Sequence, residues 1–88
     1  MVEVTERAAG ALEAMLTGNE APQDVGVRIV ADADSYGMTI DTVREGDEVV
    51  RRNERPVLIA DQQVAQTLSG HTIDFQTASD GHDRFRLI

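Results

Sequence analysis

No cysteine occurs in the 88 residues. Disulfides, thiolate nucleophiles and every metal or iron–sulfur site built on cysteine ligands are thereby excluded. Lysine is also absent, so apart from two histidines the basic residues are eight arginines, a usage that reads as codon bias from a GC-rich genome. Tryptophan is missing and aromatics make up 3 % of the chain, which leaves packing to Val, Ile, Leu and Ala. Positive charge is scarce against 16 acidic residues, giving a formal charge of −8. An acidic surface forfeits counterion release on DNA or RNA and gains nothing at anionic lipid, so neither is expected as a partner. No basic start leads into an apolar run, and no apolar run approaches the ~18 residues of a membrane span. No signal peptide and no membrane segment are expected, and the chain reads as soluble and cytoplasmic.

What is present fits one small domain over residues 1–88. A chain of this length buries only about 60–65 % of the surface it exposes when unfolded. Its core is thin, and a homodimer is the expected remedy, because a second copy can bury what one cannot.

The first pattern is helical. Thr5 can cap the free amides, and Glu6 lies in the first turn, where the helix dipole favours a carboxylate. Ala8, Leu12, Met15 and Leu16 then recur at helical spacing until Gly18-Asn19, and Pro22 prevents resumption. Asp24 to Ala31 is β-branched, with Val25, Val27, Ile29 and Ala31 predicted on one side. Across the polar connection Asp32-Ala33-Asp34-Ser35, the residues Tyr36, Met38 and Ile40 alternate with Gly37, Thr39 and Asp41, as in a half-buried strand. Val43 to Val50 holds a turn centred on Gly46 and another strand start. Arg51 to Arg55 forms a tight charged reversal into Pro56.

The segment Val57–Phe75, VLIADQQVAQTLSGHTIDF, organises the remainder. Val57–Ala60 is wholly apolar and predicts a strand covered on both faces. Asp61 caps a short helix, Gln62–Leu68, with Val64, Ala65 and Leu68 inward. Ser69-Gly70 stops it, and a strand follows with Ile73 and Phe75 on one face. Asp80-Gly81 turns the chain into a closing strand that carries Phe85 and Leu87.

These elements, in this order, resemble the A-type iron–sulfur carrier family, also called the HesB-like domain. The resemblance runs over nearly the whole chain, through VTERAAGAL, DVGVRI, GDEVV and the Val57–Phe75 segment. Asp61, Leu68, Gly70, Ile73, Asp74 and Phe75 stand at the places of the family's pattern, as do Gly81 and Phe85. The resemblance implies a mainly β (α+β) fold: a twisted sheet or half-barrel with an N-terminal helix and one short helix between late strands. It also implies three cysteine ligands, one in a Gly-Cys-Ser-Gly loop and two in a Cys-Gly-Cys tail. Here Ala33-Asp34-Ser35-Tyr36-Gly37 occupies the loop, and the sequence stops at Ile88 before any tail. Iron and sulfide call for soft thiolates, so the fold is expected and the cluster site is not.

Other constellations have plainer readings. Asp32 to Gly37 opens as D-x-D-x-x-G, but a calcium loop would need a bidentate Glu where Val43 stands, and a turn between strands is expected instead. Asp34, His71, His82 and Asp83 are the residues from which a residual metal site could be built; surface and hairpin positions account for the same residues. Ser35 and Ser69 lie in no nucleophile-elbow pattern, and no phosphate-binding glycine motif is present. Asp61 and Asp74 read as a cap and a polar-face strand residue. Arg51, Arg52 and Arg55, with Arg44, Arg84 and Arg86, read as a surface neutralised by the interleaved Glu45, Glu48 and Glu54. The expectation is a non-enzymatic protein-interaction or accessory module with no catalytic, cofactor or metal residues. The alternative is an iron or iron–sulfur assembly accessory protein that uses the Asp and His side chains just named.

Overall fold

The computed structural model describes residues 2–32, 35–77 and 83–88. A two-residue strand β1 (Glu3–Val4) leads into helix α1 (Glu6–Gly18). Strands β2 (Val25–Asp32), β3 (Ser35–Thr42), β4 (Glu48–Arg52) and β5 (Arg55–Ala60) follow, then helix α2 (Gln62–Leu68) and strands β6 (Thr72–Thr77) and β7 (Asp83–Leu87). The mainly β architecture with an early helix and a late short one is as expected. The strands are divided between two sheets, one ordered β3-β2-β5-β4 and the other β1-β6-β7. No helix among the described residues is long and apolar enough to cross a membrane.

Local chemistry sets the boundaries. The Thr5 hydroxyl accepts from the Ala8 amide at 3.2 Å and starts α1. Asp61 does the same for α2, its Oδ1 2.8 Å from the Val64 amide. Gly70, at φ +86°, takes the left-handed conformation that releases the chain from α2 into β6. Between β4 and β5 the turn residues Asn53 and Glu54 are both left-handed, at φ 53° and 66°, as a two-residue type I′ hairpin demands.

Strand β5 lies inside its sheet, parallel to β2 and antiparallel to β4. Every residue of Val57–Ala60 is at most 1 % exposed, as the unbroken apolar run predicts. Pro56 sits in β5 beside a register shift in β4 at Val50/Arg51, where a missing ladder amide is tolerated. Ile59 leans over Gly26, where a Cβ would come within 3.2 Å of its side chain. Helix α1 packs on β5 of one sheet and β6 of the other, with Ala8, Ala9, Leu12 and Leu16 buried. Both sheets and both helices thus contribute to one apolar cluster, joined by Val27, Ile29, Leu58, Leu68 and Ile73.

The register places Val25, Val27, Ile29 and Ala31 on one face of β2, as expected, and two positions add to that pattern. Ala31 is exposed, because it sits toward the β2–β3 turn, beyond the reach of the helices. Arg28, on the strand's other face, is only 7 % exposed.

Candidate functional site

The inner faces of the two sheets diverge at one end and leave an apolar cleft of about 310 Å³. Register explains its lining. In the first sheet Ile29 pairs with Met38 and Ala31 with Tyr36, so these side chains share a face. In the second, Ile73 pairs with Leu87 and Phe75 with Phe85, the two rings meeting at 4.9 Å. Ile29, Tyr36, Met38, Ile73, Phe85 and Leu87 line the cleft, with Arg86 as the charged residue at its edge. Arg86 donates to Gln76 Oε1 at 3.1 Å. Tyr36 comes from the segment matching the family's cysteine loop, and Leu87 from the closing strand. The cleft therefore lies between the segment that matches the family's cysteine loop and the closing strand. What lines the meeting place is aliphatic and aromatic, and no thiolate exists in the sequence. These residues do not fit an iron–sulfur cluster.

The suggested oxygen and nitrogen ligands fare as follows. His71 is exposed just after the Gly70 turn, at the Thr72 end of the β6–β7 ladder. Asp83 begins β7 at the ladder's opposite end, paired in register with Thr77. Six strand residues separate these ends, roughly 20 Å at ~3.3 Å per residue, too far for one ion. Asp34 and His82, with the Asp80-Gly81 turn, lie outside the described residues. Among the described residues no group of three or more His, Asp or Glu is placed to hold a metal ion. Ser69 is the exposed C-cap of α2, and Ser35 begins β3.

Asp74 is a correction. Expected on a polar face, it is 5 % exposed. Its carboxylate accepts from the Thr5 hydroxyl at 2.7 Å, from Arg7 at 3.1 Å and from Gln76 at 3.2 Å. The Thr5 hydroxyl is the main cause that lowers its pKa, to about 2, against the opposing pull of burial. Since Thr5 also caps α1, Asp74 ties the helix start to β6, a role supported by the Thr5 amide's 2.9 Å bond to the Ile73 carbonyl.

The arginines are also differently paired than expected. Arg52 meets Glu6 at 2.8 Å, so it binds α1 rather than a neighbour in its own reversal. Arg55 is 7 % exposed and donates to the carbonyls of Ala21 and Pro22, at 3.0 and 3.2 Å, fastening the chain after α1. Arg28 is the centre of a network that composition did not reveal. Its guanidinium meets Asp41 and Asp47 at 2.7 Å each and donates to the Thr42 carbonyl at 3.0 Å. Asp47 Oδ2 also accepts from the Arg44 amide at 2.7 Å, and the Arg44 side chain reaches Asp41 at 3.1 Å. The Arg28 hydrogen bond is the first cause that lowers both carboxyls below their usual range, while the bond to Asp47 raises Arg28. The network closes the β3–β4 connection. Arg84 and Arg86 belong to the other sheet.

A second hollow, about 300 Å³, lies beside α2 and is lined by Gly46, Glu48, Gln62, Ala65, Gln66 and Ser69. Glu48 Oε2 is buried without a hydrogen-bond partner among the described residues. Among the described residues the lining adds to it the Ser69 hydroxyl, on the exposed C-cap of α2, and no histidine or second acid.

No protein-family model and no curated protein matches the chain. Solved structures do. SufA from Escherichia coli, involved in biosynthesis of iron–sulfur clusters, matches with a TM-score of 0.72 and 20 % identity, over 99 % of this chain and 83 % of that one. IscA with its 2Fe–2S cluster matches with a TM-score of 0.60 and 17 % identity, over 100 % of this chain and 81 % of that one. A protein from Aquifex aeolicus, solved in solution, matches at 0.65 and 23 % identity, over 97 % and 89 %. With mixed sheets, two helices and the Asp61–Phe75 pattern in place, the chain has the fold of the A-type iron–sulfur carriers.

Proposed function

We propose that this chain is a non-enzymatic interaction module: a carrier framework that does not carry a cluster and binds protein, a second copy of itself included. The observation that carries this reading is the lining of the inter-sheet cleft. Where loop and closing strand meet there are Ile29, Tyr36, Met38, Phe85 and Leu87, side chains suited to apolar contact, with no thiolate and a single phenol in place of the set that a cluster needs. The motif residues support it in a second way. Asp61 caps, Gly70 turns, Leu68 and Ile73 fill the core, and Asp74 anchors α1, so each is accounted for by folding.

The one apolar cluster shared by both sheets and both helices supports a single domain over residues 1–88, and we place it in the cytoplasm. Anaerobic incubation with ferrous iron and sulfide, followed by desalting, tests the central claim. The protein is expected to emerge colourless. Stoichiometric visible absorbance with matching bound iron and sulfide would overturn the reading and favour an assembly role with oxygen and nitrogen ligands.

A further inference from the structure

We infer that the hollow beside α2 is a binding site for a guanidinium group, with Glu48 as its counter-charge. Glu48 is the first residue of β4 and pairs in register with Ala60, directly before the Asp61 cap of α2. Val50, two residues on, packs against the core, so Glu48 belongs to the same inward side of its strand. There Oε2 is buried, and no group among the described residues donates to it. A carboxylate oxygen withdrawn from water costs free energy until an N–H or O–H reaches it. The rest of the hollow comes from α2, where Gln62, Ala65, Gln66 and Ser69 recur at helical spacing and form one side. A Cβ at Gly46 would lie 3.5 Å from Gln62 Nε2, so the turn before β4 meets the helix at the hollow's edge.

The lining selects the occupant. It offers the Glu48 carboxylate, the side-chain carbonyls of Gln62 and Gln66 and the Ser69 hydroxyl, all able to accept, and no cation. An anion would meet Glu48 and be repelled. Calcium takes about 6–8 oxygen ligands, most of them charged or held by backbone, and among the described residues no three acids or histidines gather. A hollow of about 300 Å³ is also far larger than a bare ion or a single water requires. A guanidinium presents five N–H donors to acceptors spread around its plane, and it surrenders its water more readily than an ammonium does. Ala65 adds an apolar wall for the methylenes behind it. The formal −8 draws any cation toward the molecule, and Glu48 is what retains this one at this place. Among the described residues β4 is also a sheet edge, and an inward charge there discourages pairing with another strand. That role needs no ligand, and the test below separates the two.

Amide NMR of the full chain, titrated with N-acetylarginine amide at constant ionic strength, tests the site. Saturable shifts are expected at Gly46, Glu48, Gln62, Gln66 and Ser69. Tetramethylammonium carries the same charge without an N–H donor, and should give no saturable change there. Glu48→Gln keeps the side chain's shape and should weaken binding at least ~10-fold. Glu20→Gln, the same loss of charge on an exposed residue after α1, should leave the constant within twofold. Should Glu48→Gln fail to fold, Gln66→Arg decides: a guanidinium tethered beside the hollow would fill it and weaken binding of the added probe at least ~10-fold, whereas Gln63→Arg would not. Ethylguanidinium distinguishes the sources. Binding as tight as that of N-acetylarginine amide assigns the site to a small free guanidine, and tighter binding of the peptide-like probe assigns it to an arginine of another protein. No saturable shift with either probe, equal saturation by tetramethylammonium, or indifference to Glu48→Gln overturns the site and leaves Glu48 as an inward charge on an edge strand. The hollow and the inter-sheet cleft share no lining residue, so that result would leave the module reading untouched.

Discussion

Because the Asp74 carboxyl titrates at about 2 when folded rather than near 3.8, it binds its proton less readily in the folded chain than in the unfolded one. Its contribution is therefore fully present above about pH 4 and is lost as pH falls through 3.8 toward 2. Asp74→Asn should remove that part of the acid dependence. Thermal midpoints of the two proteins, measured from pH 5 down to pH 2, should differ most at the upper end and converge as acid is added. Parallel curves would mean that the carboxylate contributes nothing through its charge. Arg28 permits a stronger prediction. Replacing it with Met leaves Asp47, whose side chain is 5 % exposed, without its partner. Removing one member of a buried pair costs about 3–5 kcal/mol. The lower end applies here, because the Asp41 and Arg44 side chains are 24 % and 69 % exposed and water can reach them. Urea unfolding of Arg28→Met should show a loss of about 3 kcal/mol, and the further change Asp47→Leu should recover part of it.

At the scale of elements, the β4–β5 turn offers a gain in stability. Glu54 holds φ 66°, a left-handed conformation that costs a residue with a Cβ about 1–2 kcal/mol. Glu54→Gly makes the favoured Asn-Gly pair of a type I′ turn. Glycine's greater unfolded freedom offsets part of the relief, and the net gain should be about 0.5–1 kcal/mol. In a domain of this size that is a rise of several degrees, readable by calorimetry; a fall would show that the Glu54 side chain contributes more than its backbone strain costs. The same turn shows what a sequence reveals. Caps, turns and apolar alternation are local, so Thr5, Asp61, Gly70, the run Val57–Ala60 and the pair Phe75/Phe85 could be placed by reading along the chain. Arg28 and Asp74 could not. Their burial depends on partners 13, 19, 67 and 69 residues away, brought close by strand register and by α1 lying across β6. Ala31 lies on the face its alternation gives, but it is exposed, because the cover that would bury it ends before the hairpin does. The cleft was legible strand by strand: alternation puts Tyr36 and Met38 on one face and Phe85 in register with Leu87, whereas the apolar face that Ile29, Met38 and Phe85 jointly form depends on how the two sheets meet.

For the molecule as a whole, the imbalance of 16 acidic residues against eight arginines sets how stability responds to salt. Several arginines are committed to fixed partners: Arg28 to Asp41 and Asp47, Arg52 to Glu6, Arg7 to Asp74. The carboxylates left over repel one another across a molecule whose longest extent is 39 Å, and at low ionic strength the Debye length of ~30 Å nearly spans it. Folding concentrates this charge, so repulsion opposes the native state more than the expanded one. At 0.15 M the screening length falls to ~8 Å; the distant repulsions vanish, while the Arg28 pairs, out of reach of most ions, are little weakened. The thermal midpoint should therefore rise by a few degrees between 10 mM and 0.3 M sodium chloride. Any self-association would add its own dependence on concentration, so the measurement belongs in dilute protein, and the shift must persist on further dilution. A midpoint that falls with salt would mean that the surface pairs, Arg52–Glu6 foremost, outweigh the unpaired acids. In that case the excess negative charge would cost the fold little.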